Sequence, residues 1–223
     1  MSKVTFVFDK GKDIENIWKT INDNTLKDFS QNIPQKIKGA VQGKTLEQAG
    51  QELENINNNF YNSQILQIFT KTLNNSWKTI EKEYQERIEK ITKKPFVKGK
   101  INAYLTTISK CPYSPEEKWF MVSVFNNIFG CMQTAGHELF HLQFHKYFFK
   151  KVEKQIGAQK THELKESLTI LLNLEFKDLW FVEDKGYEQH KDLRNFIKEQ
   201  WQSQKEKDFD VLIEKCVEYL KEK

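Results

Sequence analysis

The sequence predicts an α+β fold, mostly helical, with a small, mainly antiparallel sheet packed on the helices. Three observations predict it. Apolar residues recur at helical spacing over long stretches, most clearly from Ile65 to Ile91. Strand-forming residues gather in three short runs, "KVTFVFD" (3–9), "INAYLTTIS" (101–109) and "KWFMVSVF" (118–125). No internal repeat and no clear linker divides the 223 residues, so one domain is expected over 1–223. Within it, 1–100 is mainly helical after its first strand, 101–202 forms a core, and 203–223 is a C-terminal helix.

The elements follow in order. "KVTFVFD" is β-branched and aromatic and runs into the charged "KGKD", which reads as a strand and its end. In "DIENIWKTINDNTLKDF" (13–29), Ile14, Ile17, Trp18 and Ile21 fall on one helical face. "SQNIPQKIKG" reads as a loop or turn around Pro34. Two helices follow, roughly 44–59 and 60–93, divided at "NINNNFYN". The second carries Ile65, Ile68, Phe69, Leu73, Trp77, Ile80, Tyr84, Ile88 and Ile91, a stripe that reads as core. Pro95 ends it. "INAYLTTIS" and "KWFMVSVF" read as a hairpin joined by the proline-containing "KCPYSPEE", although Ser114-Pro115-Glu116-Glu117 also fits a helix cap. A long helix is expected from Asn127 to about Lys154, a very apolar one over 161–180, another from Tyr187 to about Gln202, and a last one near 207–221.

Composition excludes several classes. The chain is 38% hydrophobic and 13% aromatic with 17 Phe, too rich for a disordered protein. Net charge is +4, from 35 basic and 31 acidic residues that are interspersed. The nearest approach to a basic cluster is "KKPFVKGK" (93–100), and no basic stripe interleaved with stacking aromatics points to nucleic acid. Mean hydropathy is -0.70, and no run nears the roughly 18 apolar residues of a membrane span. Cys111, Cys131 and Cys216 are odd in number and far apart, unlike a disulfide framework. The N-terminal residues lack a signal-peptide pattern, so the expected location is cytoplasmic.

The chemistry gathers in "TAGHELFHLQFH" (134–145), which holds three of the five histidines. His137 and His141 are four apart, one turn along a helix, so both imidazoles can face one cation. Zinc takes such nitrogens at about 2.0–2.1 Å. Glu138 is rotated about 100° from His137, beside the metal, where a carboxylate can take a proton from bound water. His137-Glu138-Leu139-Phe140-His141 is the H-E-x-x-H pattern. Apolar neighbours (Leu139, Phe140, Leu142, Phe144, Phe148) imply a buried helix, in which imidazoles and a carboxylate need partners. His145 is about 12 Å along the axis from His137, too far to share one ion, and reads as structural or as a support behind the ligands.

On these residues the sequence resembles the zincin metallopeptidases, most closely the gluzincin branch, in which a glutamate from a later helix completes the metal site. The firm part of the resemblance is "HELFH", and it extends over about 101–200. It implies a zinc-dependent peptidase acting on a peptide or protein substrate, with Glu138 as general base and an extended substrate lying along an edge strand, for which "KWFMVSVF" is the candidate. It also implies a Tyr or His that steadies the oxyanion. "GYEQHKDLR" offers Tyr187 and His190, with Arg194 four residues beyond His190.

For the third metal ligand the segment after the histidines offers His162, Glu163, Glu166 and Glu175. Glu166 shares a narrow polar face with Thr169 and Asn173 on an otherwise apolar helix, where a buried carboxylate needs a partner such as a metal. Glu166 is therefore the expected ligand, with Thr169 and Asn173 supporting the site. Glu163 is the runner-up, being acceptable near a helix start without metal, and a salt bridge to a nearby lysine is the alternative fate of Glu166. Three other functions compete with the peptidase. A peptide deformylase shares H-E-x-x-H, but its cysteine segment and glycine-rich motif are missing around Cys111 and Cys131. A catalytically inactive zincin-fold regulatory or interaction protein would keep the site for structure. A helical binding protein would carry the motif by chance.

Overall fold

A computed structural model of the protein describes residues 2–223, with Lys27 and Asp28 by their backbone alone. The chain is mainly helical and carries a small mixed sheet. It divides into two compact units, one of 2–3, 79–100 and 132–223, the other of 4–78 and 101–131.

Apart from its end residues Lys3 and Lys100, the sheet belongs to the second of these units. Its strands are β1 (Lys3–Phe8), β2 (Lys100–Thr106), β3 (Tyr113–Ser114) and β4 (Trp119–Ser123), lying side by side in the order β1-β2-β4-β3. β2 and β4 run parallel, with Asn102 opposite Trp119 and Thr106 opposite Ser123. The expected β2–β4 hairpin and mainly antiparallel sheet are thus corrected. The connection after Thr106 is long enough for the chain to return before pairing, and the antiparallel partner of β4 is the two-residue β3, Tyr113 against Phe120. "KWFMVSVF" is consequently an inner strand, with β2 on one side and β3 against its first two residues.

Helices α1 (Lys10–Asn22), α3 (Gln35–Val41) and α4 (Leu46–Tyr61) pack with this unit, and short turns and α2 (Lys27–Ser30) join α1 to α3. Asp9 caps α1 by accepting from Lys12 N, and Thr45 and Gln48 form a reciprocal capping box on α4. Ile14, Ile17, Ile33, Val41, Ala49 and Leu53 form the core between them. The turn expected around Pro34 is present over 31–34, but it ends sooner than expected: Pro34 is the N-cap of α3, which begins at Gln35. Asp13 is buried here and accepts from Thr106 Oγ1, Thr107 N, Thr107 Oγ1 and Tyr61 Oη.

Helix α5 (Gln64–Thr92) begins in the second unit and ends in the first. Leu73, Trp77, Tyr84, Ile88 and Ile91 are buried as the stripe predicts, but Ile65 and Ile68 are 76% and 58% exposed, and Leu66 takes the inward position instead. At its N-terminal part, Asn74 bonds both the N–H and the C=O of Phe6, satisfying one residue of β1.

The first unit contains α6 from Met132 onward, α6 spanning Ile128–Phe144. A π-helical turn at 145–149 carries the chain into α7 (Lys150–Ser167). Gly157, at φ 78°, breaks α7, a conformation glycine adopts without strain. The expected helix over 161–180 is three pieces: the end of α7, α8 (Ile170–Glu175) and α9 (Lys177–Trp180). Helices α10 (Lys191–Ser203) and α11 (Phe209–Lys221) complete the unit. Its core is aromatic: Tyr84 meets Phe176 and Trp180, and Phe209 meets Phe140 and Phe148. The basic "KKPFVKGK" is partly neutralised, Lys93 by Asp208 and Lys94 by Asp210.

Candidate metal centre

All residues of the candidate site lie in the first unit. Regular helix from Met132 to Phe144 sets His137 and His141 one turn apart, with ring centroids separated by 4.3 Å. Close approach of this helix to α9 is possible because residue 136 is glycine. A Cβ there would lie 2.6 Å from the Trp180 ring. The Tyr84 hydroxyl donates to the Gly136 carbonyl. The stretch before the first histidine is therefore fixed by packing and by a hydrogen bond.

Glu166, near the end of α7, faces both imidazoles through one oxygen. Its Oε2 lies 3.2 Å from His141 Nε2 and 3.5 Å from His137 Nε2. Ligand atoms of the three residues fall within 4.8 Å of one another. Ligands bound tetrahedrally at about 2.0–2.1 Å from an ion stand about 3.3 Å apart, so both separations fit a shared cation. Two imidazole nitrogens and one carboxylate oxygen are also the donor types zinc takes in open, catalytic sites. The expected set His137, His141 and Glu166 is brought together as predicted, and the alternative fate of Glu166 is realised alongside it: Lys165 Nζ lies 2.6 Å from its Oε1.

His137 is anchored from behind. Its Nδ1 donates to Asp184 Oδ2 at 2.5 Å. Gln133 Nε2 donates to the same oxygen at 2.9 Å, and Arg194 Nη2 lies 3.2 Å from Oδ1. The Asp184 backbone is held in turn: its N–H donates to Asn173 Oδ1, and its carbonyl accepts from Asn173 Nδ2 and Arg194 Nη2. Thr169 accepts from Arg194 Nη1 and donates to the Glu166 carbonyl. Thr169 and Asn173 do support the site, but mainly through Asp184 and the backbone rather than on the Glu166 carboxylate. Gly186 completes this corner. Its φ is +63°, and a Cβ would meet the Arg194 guanidinium at 2.6 Å.

The electrostatics follow from this geometry. Burial opposes charge on His137, but its bonds to Asp184 and Glu166 outweigh burial and raise it to about 10. Burial, the charge of His137 and the ammonium of Lys165 lower His141 to about 3, so it stays neutral. Burial would raise Glu166, yet the two histidines hold it well below the usual carboxylate range. Asp184 is lowered against its own burial by His137. His137 as an imidazolium thus bridges two carboxylates, and a metal ion would take the place of its Nε2 proton.

Glu138 is 7% exposed and follows His137 on the same helix. Tyr187 and His190 sit together on the turn before α10, rings 5.7 Å apart. Tyr187 is exposed and His190 half-buried, and neither belongs to the three-residue cluster. Arg194 is buried within the Asp184 network. His145 stacks on Phe149 in the π turn, centroids 4.3 Å apart. Glu163 lies inside α7, not near its start, and His162 is exposed. Glu175 accepts from Trp201 Nε1.

Asp184 and Lys165 were not anticipated from sequence. Asp184 sits in "EDKG", which reads as an ordinary loop, and its distance from His137 is set by the path through α8 and α9. Lys165 resembles any other lysine of a lysine-rich chain until its burial is known. No family model, curated protein or solved structure matches the chain.

Proposed function

We propose that the protein is a zinc-dependent metallopeptidase of the zincin type that hydrolyses peptide bonds. One observation carries this reading: Nε2 of His137 and of His141 converge on Oε2 of Glu166 at 3.5 and 3.2 Å, with Glu138 buried on the same helix. A zinc ion held by these three residues would supply a Lewis acid to polarise the scissile carbonyl. Asp184 keeps the His137 proton on Nδ1, which leaves Nε2 as the donor atom. His141, kept neutral by burial and by the charges of His137 and Lys165, needs no deprotonation to bind. The Glu138 carboxylate takes the proton of the attacking water and delivers it to the leaving amine. Tyr187 and His190 are the proposed donors to the developing oxyanion, from the turn before α10.

Metal analysis and a peptide-library digest test this together. The purified protein should hold about one zinc per chain, and the His137→Ala/His141→Ala double variant should hold none. Glu138→Gln should keep zinc and fold and lose hydrolysis by about 10²–10⁴-fold. Protein that binds no transition metal contradicts the site. Protein that binds zinc and cleaves nothing in the library is the inactive regulatory alternative.

A further inference from the structure

Lys165 is 2% exposed, on a chain whose other lysines are mostly solvated. An ammonium so deeply placed needs partners, and Glu166 Oε1 stands 2.6 Å from it. The two oxygens of Glu166 therefore have different neighbours. Oε1 takes a charge-assisted hydrogen bond from Lys165, while Oε2 faces both imidazoles. Carboxylates bind cations through one oxygen or through both. Which mode occurs decides whether a three-residue site keeps an open position.

We infer that Lys165 is a positioning residue that holds Glu166 as a one-oxygen ligand through Oε2. The inference rests on the zinc reading given above. For Oε1 to join the ion it would have to give up its short charge-assisted bond to the ammonium, one of the stronger kinds of hydrogen bond. The lysine also draws negative charge away from the carboxylate, so the ion keeps more of its power to polarise a carbonyl. Both effects act through Glu166, and Lys165 itself need not touch substrate.

Cobalt(II) in place of zinc provides the test, because its visible absorption weakens as the coordination number rises. Lys165→Met preserves the shape of the side chain and removes the ammonium. Its cobalt form should lose a large part of the visible band of the wild-type form, and Lys165→Arg, which keeps an N–H aimed at Oε1, should recover it. Coincident wild-type and Lys165→Met spectra would overturn the inference. A crystal structure of the zinc-loaded wild-type protein gives a second reading that needs no variant to fold. It should show two imidazoles and a single glutamate oxygen, and a shell with both oxygens, or with none, overturns the inference alone. Failure of wild-type protein to bind cobalt or zinc at all would instead remove the zinc reading on which it stands.

Discussion

Among single residues, Asp184 separates a cluster that merely contains candidate metal ligands from one that aims them. Its carboxylate accepts from Nδ1 of His137, which would leave Nε2 for a metal, and it is itself held by Gln133, Asn173 and Arg194. Asp184→Asn retains an oxygen that can accept from His137 Nδ1 but removes the charge behind it. Partners of this kind typically change metal affinity by about 10–100-fold, so the variant should bind zinc about that much more weakly, read by competition against a chromophoric chelator. Unchanged affinity would reduce Asp184 to a loop anchor. The residue scale is also where the sequence was most informative and least complete. His137, Glu138 and His141 are legible because one helix places them and helical spacing is a local property. Glu166 is legible at one remove, as a carboxylate on an otherwise apolar face. Asp184 and Lys165 are illegible because their roles depend on burial and on a chain path through α8 and α9.

Between elements, the approach of α6 to α9 governs where the first histidine stands. Glycine inside a helix ordinarily costs about 1 kcal/mol relative to alanine, so Gly136→Ala would be stabilising on an open helix face. Here the added methyl would lie 2.6 Å from one ring atom of Trp180 and 2.8 Å from another. The indole is fully buried and stacks on Phe176, so it has no easy retreat, and overpacking of this kind typically costs about 1–3 kcal/mol. The collision outweighs the propensity gain. Gly136→Ala should lower unfolding stability, seen as a lower urea midpoint, and weaken zinc binding by displacing His137. A midpoint equal to or above that of the parent protein would show that α9 yields. Helix existence was well predicted at this scale because apolar periodicity is strong. Helix ends were not, since Gly157 and Pro34 act through φ, and a glycine or proline in sequence does not say which conformation it takes.

Over the whole molecule, the sequence conveyed an α+β chain with three recognisable strand segments, but not how they pair. Strand direction is settled by where the chain travels between strands, which alternation of side chains does not record. The same holds for Asp13, which reads as one acidic residue in a helix and proves to be fully buried under Thr106, Thr107 and Tyr61. It bears on how stability responds to pH. Burial raises the Asp13 carboxyl above its ordinary 3.8, despite the four hydrogen bonds that pull the other way. A raised carboxyl binds its proton more tightly in the folded state, so its contribution falls as pH climbs from 3.8 towards the raised value. Carboxylates such as Asp178 and Asp208, lowered by Arg87 and Lys93, have the opposite sign: they stabilise above their ordinary value and lose that contribution on acidification. Comparing wild type with Asp13→Asn cancels the second group. The asparagine oxygen can accept from Thr107 N, and its amide can donate to the hydroxyl oxygens of Thr107 and Tyr61, so the fold should hold. In urea unfolding of the metal-free protein from about pH 3 to about pH 7, the stability of wild type relative to Asp13→Asn should decline as pH rises and then level off. A difference that rises with pH would mean that the four donors, not burial, govern this carboxylate.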